Sequence, residues 1–530
     1  MPRVSRKQPA RTSRKKIKAE RRKKVPQPQA RQPQLAQPQA GRSNSRTAPV
    51  SVTGSPEKFR VRVRMYRQGL GDCFLLTFPR ADKHAFHMLI DCGALGRDKQ
   101  FMTKIVEHIR DTICVETGAS KAMLDLVVAT HEHKDHLSGF NQARDIFNND
   151  FEFGAVWLGW TENLSKPEIR AIKETKKKAI AKLKAALDSP LAATALQGVE
   201  QVLAFSEDED STGAGKISEA LDYLKLRGKE AENLQYLKPG GDPLELDGVE
   251  GVRVYVLGPP EDPNLLKTSR VTEELKSQDL IYHLAAMGDA GMGALGAAIG
   301  TLNGSSDREG ERYFPFSDEH RIPRDALNQN GRMGPNPYFA LIKDFVSTTY
   351  DDKAQAWRQI EDDWLAAFGD LALSLDSDTN NTSLVLAFEF VKKGEVLLFV
   401  GDAQVGNWQS WERVKFNVPG RARPLPALDL LGRTVFYKVG HHCSHNATLK
   451  KGGLELMTRD DLVAFIPLDE NTAKKQGTKG WEMPAPALLK ALSEKADERV
   501  VISDVTKNLS AKANDAGIRA TATYIDYFLE

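Results

Sequence analysis

Apolar and charged positions alternate with period two in FRVRVRMYRQ, Phe59 to Gln68, the pattern of a half-buried strand. GLGDCFLLTF follows as a glycine turn and a second apolar run. HMLIDCGA is a third short strand, ending in Asp91 and Gly93, and the three predict a meander within one sheet. From Lys99 to Thr117 the periodicity becomes helical, with Ile105 and Ile109, and Phe101 and Met102 beside them, facing inward. AMLDLVVAT, Ala122 to Thr130, is apolar, rich in Val and Leu, and has the length of a buried strand. A sheet, a helix and a returning strand predict a layered α/β arrangement.

Beyond this point Gly139 to Phe147 reads as helix and FGAVWLGW as strand, and residues 165–235 are mostly helical. Within them KETKKKAIAKLKAAL reads as an amphipathic surface helix whose lysines could grip phosphate, although a charge run on a helix is usually only its solvated face. GVRVYVLGPP, Gly251 to Pro260, is a strand closed by a Gly-Pro-Pro stop. From 261 to 374 the pattern loses regularity around the Gly-rich MGDAGMGALGAAIGTLNGSS, as an insertion or lid would. Order returns in NNTSLVLAFEFVKKGEVLLFVGDAQ, which holds two strands, Ser383 to Phe390 and Glu395 to Val400, joined by a Lys-Lys-Gly turn. RTVFYKVGHHCSHNAT, LVAFIPL and RVVISDV add strands, and ATYIDYFLE closes the chain. The expected organisation is a tail over 1–57, a first half over 58–260, the insertion over 261–374 and a second half over 375–530.

Charge changes this picture at the N-terminus. The net charge of +3 conceals fifteen Lys or Arg against Glu20 alone in residues 1–50, a segment of +14, so that the remainder carries 59 − 70 = −11. RTSRKKIKAERRKKVPQPQARQPQLAQPQAGR joins a basic block to Pro and Gln repeats, a composition that packs no core and predicts a disordered tail. Such a tail could dock on nucleic acid or another polyanion, act as a targeting signal, or be solvated with no partner. No apolar run approaches a membrane span and the basic N-terminus lacks the apolar centre of a signal peptide, so the expectation is a cytoplasmic protein with no membrane partner. Cys73, Cys92, Cys114 and Cys443 are too few and scattered for a disulfide framework, which fits a reducing compartment.

The candidate chemistry lies in THEHKDHLSGF, residues 130 to 140. A His at every second residue cannot share one helix face. His131 and His133 are therefore expected at a strand exit, with Asp135 and His136 on the turn beyond it. Imidazoles and carboxylates converging at a strand end suit zinc and similar cations, against the plainer reading of a polar loop that contains His. Two further strands end in potential ligands, at Asp402 and at His441 and His442. Strand ends on one edge of a sheet are where sites gather in layered α/β folds. Neither a GxSxG elbow, a Walker loop nor a kinase signature occurs, which disfavours serine hydrolase and nucleoside-triphosphate chemistry.

THEHKDH resembles the HxHxDH signature of the metallo-β-lactamase superfamily, and IDCGA, FVGDAQ and VGHHCS resemble its first, fourth and fifth motifs. NNTSLVL, LLFVGDA and KVGHH further resemble the metallo-hydrolase domain of competence-type DNA-uptake channel proteins, over roughly residues 59–160 and 250–470 by motif placement. The resemblance implies an αββα sandwich carrying one or two zinc ions, or manganese. It implies that His131 and His133 bind one ion, that Asp135 and His136 bind a second with a closing His, and that Asp402 bridges both. Between His441 and His442 the family's usual Gly-His step favours His441, which with Asp135 forms the expected catalytic pair. Asp91 would orient the site from behind the ligands. Many members carry a further His before the bridging Asp. FGAVWLGWTEN has none, and the histidines of the insertion are His283 and His320, each also readable as an ordinary surface or core residue. The implied activity is hydrolysis by metal-activated water. A phosphodiester is the expected substrate, with nucleic acid as the first choice on the resemblance and on the basic tail, and with Lys438 and Ser444 as candidate phosphate contacts. The rivals are an ester, thioester or lactam hydrolase and a binding or scaffold protein with a degenerate site.

Overall fold

A meander does open the folded chain, and its hydrophobic pattern is buried on both faces rather than one. The computed structural model describes residues 59–81, 85–187, 217–266, 337–352, 354, 376–476 and 480–530. The basic tail and most of the insertion, with His283 and His320, lie outside the described residues. Strands β1 (Val61–Tyr66), β2 (Cys73–Pro79) and β3 (Ala85–Cys92) pair antiparallel in succession. Helix α1 (Lys99–Thr117) returns the chain so that β4 (Leu126–Ala129) lies parallel to β3. The Asp98 carboxylate caps α1 by accepting from Phe101 N at 2.8 Å, and Gly118, at φ 71°, ends it in the left-handed conformation that glycine adopts without strain.

After β4 come α2 (Lys134–Gln142), β5 (Val156–Gly159), α3 (Pro167–Leu187), α4 (Ile217–Glu230) and β6 (Leu234–Leu237). A second sheet is built from β7 (Val252–Gly258), the hairpin β8 (Val385–Phe390) and β9 (Glu395–Phe399), β10 (Thr434–Lys438), β11 (Val463–Ile466) and β12 (Val500–Ile502). The chain then re-enters the first sheet through β13 (Arg519–Ala520) and β14 (Tyr524–Leu529), the latter antiparallel to β1. The strand orders are β13-β14-β1-β2-β3-β4-β5-β6 and β12-β11-β10-β9-β8-β7. Each sheet mixes parallel and antiparallel pairs; the first takes β13 and β14 from the second half of the sequence and the second takes β7 from the first. Described residues from both halves therefore belong to one compact unit, 56–530.

Alternate strand positions sort the core into layers. Val63, Phe74, Leu76 and Met88 of the first sheet meet Val254, Leu386, Phe388 and Phe436 of the second. On the far face of the first sheet Leu75, Leu89 and Val127 pack under α1, α2 and α4. On the far face of the second, Leu398, Tyr437 and Ala464 pack under Trp408 and Leu492. The α1 residues Met102, Ile105, Val106, Ile109 and Ile113 are all buried, each contributing roughly 1.5–3 kcal/mol on removal from water. This is the α/β layering the pattern predicted.

Three local expectations are corrected. Arg62 and Arg64 do not face solvent, being 6% exposed each. Arg62 pairs with Glu116 at the end of α1, and Arg64 makes a two-pronged contact at 2.7 Å on each oxygen of Asp526 while stacking 3.6 Å from the Tyr524 ring. The run 122–130 is broken at Asp125, whose carboxylate accepts from His87 N at 2.8 Å and pairs with Arg80 at 3.0 Å. The helix after the His motif begins at Lys134, so Asp135 and His136 stand in its first turn rather than on a loop. Within the expected insertion the structure describes helices Pro263–Leu266 and Pro337–Thr349. None of the described helices is long and apolar enough to cross a membrane.

Candidate metal centre

Four strand ends deliver the site. β3 runs parallel to β4 in one sheet and β9 parallel to β10 in the other. Asp91 is the penultimate residue of β3, and the other three strands are followed respectively by Thr130 to His136, by Asp402, and by His441 and His442. Close backbone packing lets α2 approach: a Cβ on Gly93 would stand 2.4 Å from the Asp135 carbonyl carbon, and one on Gly71 the same distance from its oxygen. Gly71, at φ 146°, also holds a conformation that L residues rarely take.

Asp135, His136, Asp402 and His442 each offer one ligand atom, all within 4.8 Å of one another, and all four residues are buried. Asp135 Oδ2 lies 2.7 Å from His442 Nε2 and 3.7 Å from His136 Nε2, while Asp402 Oδ2 lies 3.2 Å from His136 Nε2 and 3.5 Å from His442 Nε2. Ligands at about 2.0–2.2 Å from one tetrahedral zinc stand about 3.3–3.5 Å apart, so these spacings need only small shifts to enclose an ion. The donor set of two imidazole nitrogens and two carboxylate oxygens fits zinc or manganese.

The outward nitrogen of each ring is engaged. His136 Nδ1 donates to Asp91 Oδ2 at 2.7 Å, and Asp91 also accepts from Thr130 N at 2.8 Å and Thr130 Oγ1 at 2.7 Å. His442 Nδ1 donates to the Pro467 carbonyl at 2.6 Å. His131 Nδ1 lies 3.1 Å from Thr130 Oγ1 and 3.3 Å from Ser383 Oγ, leaving Nε2 facing His133 Nδ1 at 3.1 Å. His133 Nε2 faces Asp376 Oδ1 at 3.7 Å. Fixing one ring nitrogen in this way aims the lone pair of the other, the arrangement that holds imidazole ligands on metals.

Electrostatics point the same way. Burial pushes the His136 pKa down, yet Asp402, Asp72, Asp135 and Asp91 hold it well above the ordinary value. His442 is raised likewise against burial by Asp402 and Asp135. Burial would lift Asp402, but His136, His442 and Lys438 hold it well below the usual carboxylate range. The carboxylates thus demand positive charge at their centre, which a proton supplies and for which a divalent cation competes. Burial pushes His131 well below and His133 down to about 3, so both imidazoles are neutral and have lone pairs to give.

The structure brings His442 into the group, not the favoured His441. The reason is local: His441, His442 and Cys443 take positive φ in succession (42°, 50° and 65°), a turn that swings the second ring inward. His441 keeps its backbone N–H on Asp402 Oδ1 at 2.9 Å, while its Nδ1 is turned to Ser444 Oγ at 2.7 Å and Gln404 Nε2 at 3.1 Å. His131 and His133 form an adjoining pair outside the four. Lys438 is neither outward nor open to a ligand: it is buried, pairs with Asp72, and places its ammonium 3.3 Å from Asp402 Oδ1 and 2.7 Å from the Gly401 carbonyl. Asp72, Asp91 and His136 also cluster, but Asp72 and Asp91 are already committed to Lys438, Thr130 and His136.

Asp72, Ser383 and Asp376 are the site residues that sequence reasoning missed. Asp376 is raised to about 8 by burial and by Asp135 and Asp402. Its Oδ2 accepts from Asn380 Nδ2 at 3.1 Å, and the NNTS segment that follows was the available signal. Cys443 is a buried free thiol, pushed up to about 12 by burial. No family model, no curated protein and no solved structure matches this chain.

Proposed function

We propose that this chain is a metal-dependent hydrolase of metallo-β-lactamase type, acting on phosphodiesters, with nucleic acid as the substrate class. The observation that carries the reading is the convergence of Asp135, His136, Asp402 and His442 from separate strand ends, with the outward nitrogen of both rings held. The two-sheet layering with helices outside supports the same assignment.

A zinc or manganese ion would supply Lewis acidity, acidifying water near neutral pH and offsetting charge that develops on phosphorus. Asp135, His136, Asp402 and His442 would hold it, and His131 Nε2 with His133 Nδ1 present a second donor pair beside it. Asp91 and the Pro467 carbonyl keep His136 and His442 in the orientation that ligation needs. Lys438 pairs with Asp72 and lies 3.3 Å from Asp402 Oδ1, which offsets part of the negative charge of the buried acids. Burial of these groups excludes bulk water and strengthens each charge interaction.

The test is metal content measured together with turnover of single- and double-stranded DNA, RNA and cyclic nucleotides, in wild type and in His133→Ala. Wild type is expected to retain metal and cleave at least one of these, and His133→Ala to lose about a hundredfold in rate. Metal retention with no phosphodiester turned over would overturn the substrate class. Less than one ion per chain would favour a binding or scaffold protein.

A further inference from the structure

We propose that Asp376 positions His133 for a second divalent cation beside the four-residue centre, accepting the Nε2 proton of His133 so that Nδ1 joins His131 Nε2 in giving a lone pair; this rests on the metal-dependent reading above. Two neutral imidazoles face each other through His131 Nε2 and His133 Nδ1 at 3.1 Å. Thr130 Oγ1 gives its own proton to Asp91 Oδ2 at 2.7 Å, so towards His131 Nδ1, 3.1 Å away, it acts as acceptor. The His131 proton therefore sits on Nδ1 and its lone pair on Nε2. His133 has one proton to place. On Nδ1 it makes a ring-to-ring hydrogen bond with His131; on Nε2 it leaves two lone pairs converging on one point, which suits zinc or manganese.

Asp376 faces His133 Nε2. Its Oδ1 lies 3.7 Å from that nitrogen, and both side chains are largely buried. Residues 376–381 are helical, and one turn along Asn380 Nδ2 donates to Asp376 Oδ2 at 3.1 Å, which leaves Oδ1 for the ring. The segment is pinned beyond that turn. Leu384 N donates to the Thr130 carbonyl at 2.9 Å, and Asn407 Nδ2 donates to the carbonyls of Asn381 and Ser383 at 3.0 and 2.9 Å. Ser383 Oγ stands 3.3 Å from His131 Nδ1. One short segment thus backs both rings of the pair, Ser383 behind His131 and Asp376 behind His133. The 3.7 Å separation exceeds hydrogen-bond reach by about half an ångström, a shift of the size the four inner ligands also need to enclose an ion.

A carboxyl group behind a ligating imidazole fixes its tautomer and the orientation of its ring. This role does not depend on the charge of Asp376. Burial, Asp135 and Asp402 raise its pKa, and Lys176 and His442 oppose them, yet the protonated and the ionised group both keep an oxygen that accepts from an imidazole N–H. An amide oxygen accepts in the same way, so asparagine should stand in for Asp376 where alanine fails.

The experiment clears the full-length chain of metal with a chelator and titrates it with zinc by calorimetry, in wild type, Asp376→Ala and Asp376→Asn, with circular dichroism to establish folding. Wild type is expected to take two ions in two steps. Asp376→Ala should weaken the second step by about ten- to a hundredfold, the scale for removing a group that holds a metal-binding His, with the first step unchanged. Asp376→Asn should recover most of the loss. Nitrogen-15 NMR of the zinc-loaded wild type should place the His133 proton on Nε2 in slow exchange, a signal that should be lost in Asp376→Ala. One zinc per wild-type chain, a second step in Asp376→Ala equal to wild type, an equal loss in both steps, or no recovery in Asp376→Asn would each overturn the assignment. If two ions bind and no phosphodiester is turned over, the substrate reading fails by itself, and the second zinc step still decides the role of Asp376.

Discussion

His442→Ala should lower the affinity for zinc by at least about a hundredfold, while His441→Ala should leave it unchanged. The two residues are neighbours, equal in chemistry, and opposite in placement. His442 Nε2 stands 2.7 Å from Asp135 Oδ2 and 3.5 Å from Asp402 Oδ2, at the centre of the buried group. His441 directs Nδ1 to Ser444 and Gln404, and gives the site only its backbone N–H, which alanine retains. Dialysis of both variants against a graded zinc buffer, with metal analysis and circular dichroism to establish folding, reads the difference. Loss of metal in His441→Ala with retention in His442→Ala would reverse the assignment.

Arg64→Ala should cost about 3–5 kcal/mol of stability, the loss incurred when one partner of a buried ion pair is removed. Asp526 would be left nearly fully buried with its two guanidinium contacts gone, and the stacking on Tyr524 would be lost as well. Because β1 and β14 join the two ends of the folded chain, the effect should reach the whole first sheet. Urea midpoints followed by tryptophan fluorescence measure it. The double replacement Arg64→Met with Asp526→Leu should recover most of the loss, since an apolar pair of similar volume needs no counter-charge. A midpoint for Arg64→Ala within error of wild type would show that the pair is not buried in solution.

The same arginines explain where sequence reading reached its limit. Period two correctly marked β1 as a strand, but the pattern of one apolar and one charged face is identical whether the charged face meets water or lies under a helix supplying Glu116. The boundaries of α1 were legible because Asp98 and Gly118 carry capping chemistry. Asp125, a single polar residue in an apolar run, gave no sign that it would break the strand. His131, His133, Asp135 and His136 stood out because four residues of metal-binding type fall within six positions. Asp402 was found through its place after an apolar run. Asp72 and Asp376 were not, and Lys438 was noticed only as a candidate phosphate contact, because a lone charged residue has no spacing to recognise and acquires its role only from the partner that folding brings to it. The choice of His442 over His441 depended on three successive left-handed residues, a backbone path that nothing in GHHCS encodes visibly.

The most direct measurement is X-ray absorption at the zinc edge of the full-length chain reconstituted with zinc. The account predicts nitrogen and oxygen ligands at about 2.0–2.2 Å with outer scattering from at least two imidazoles, one of which disappears in His442→Ala. An all-oxygen environment without imidazole scattering, or a spectrum unchanged by His442→Ala, would contradict it.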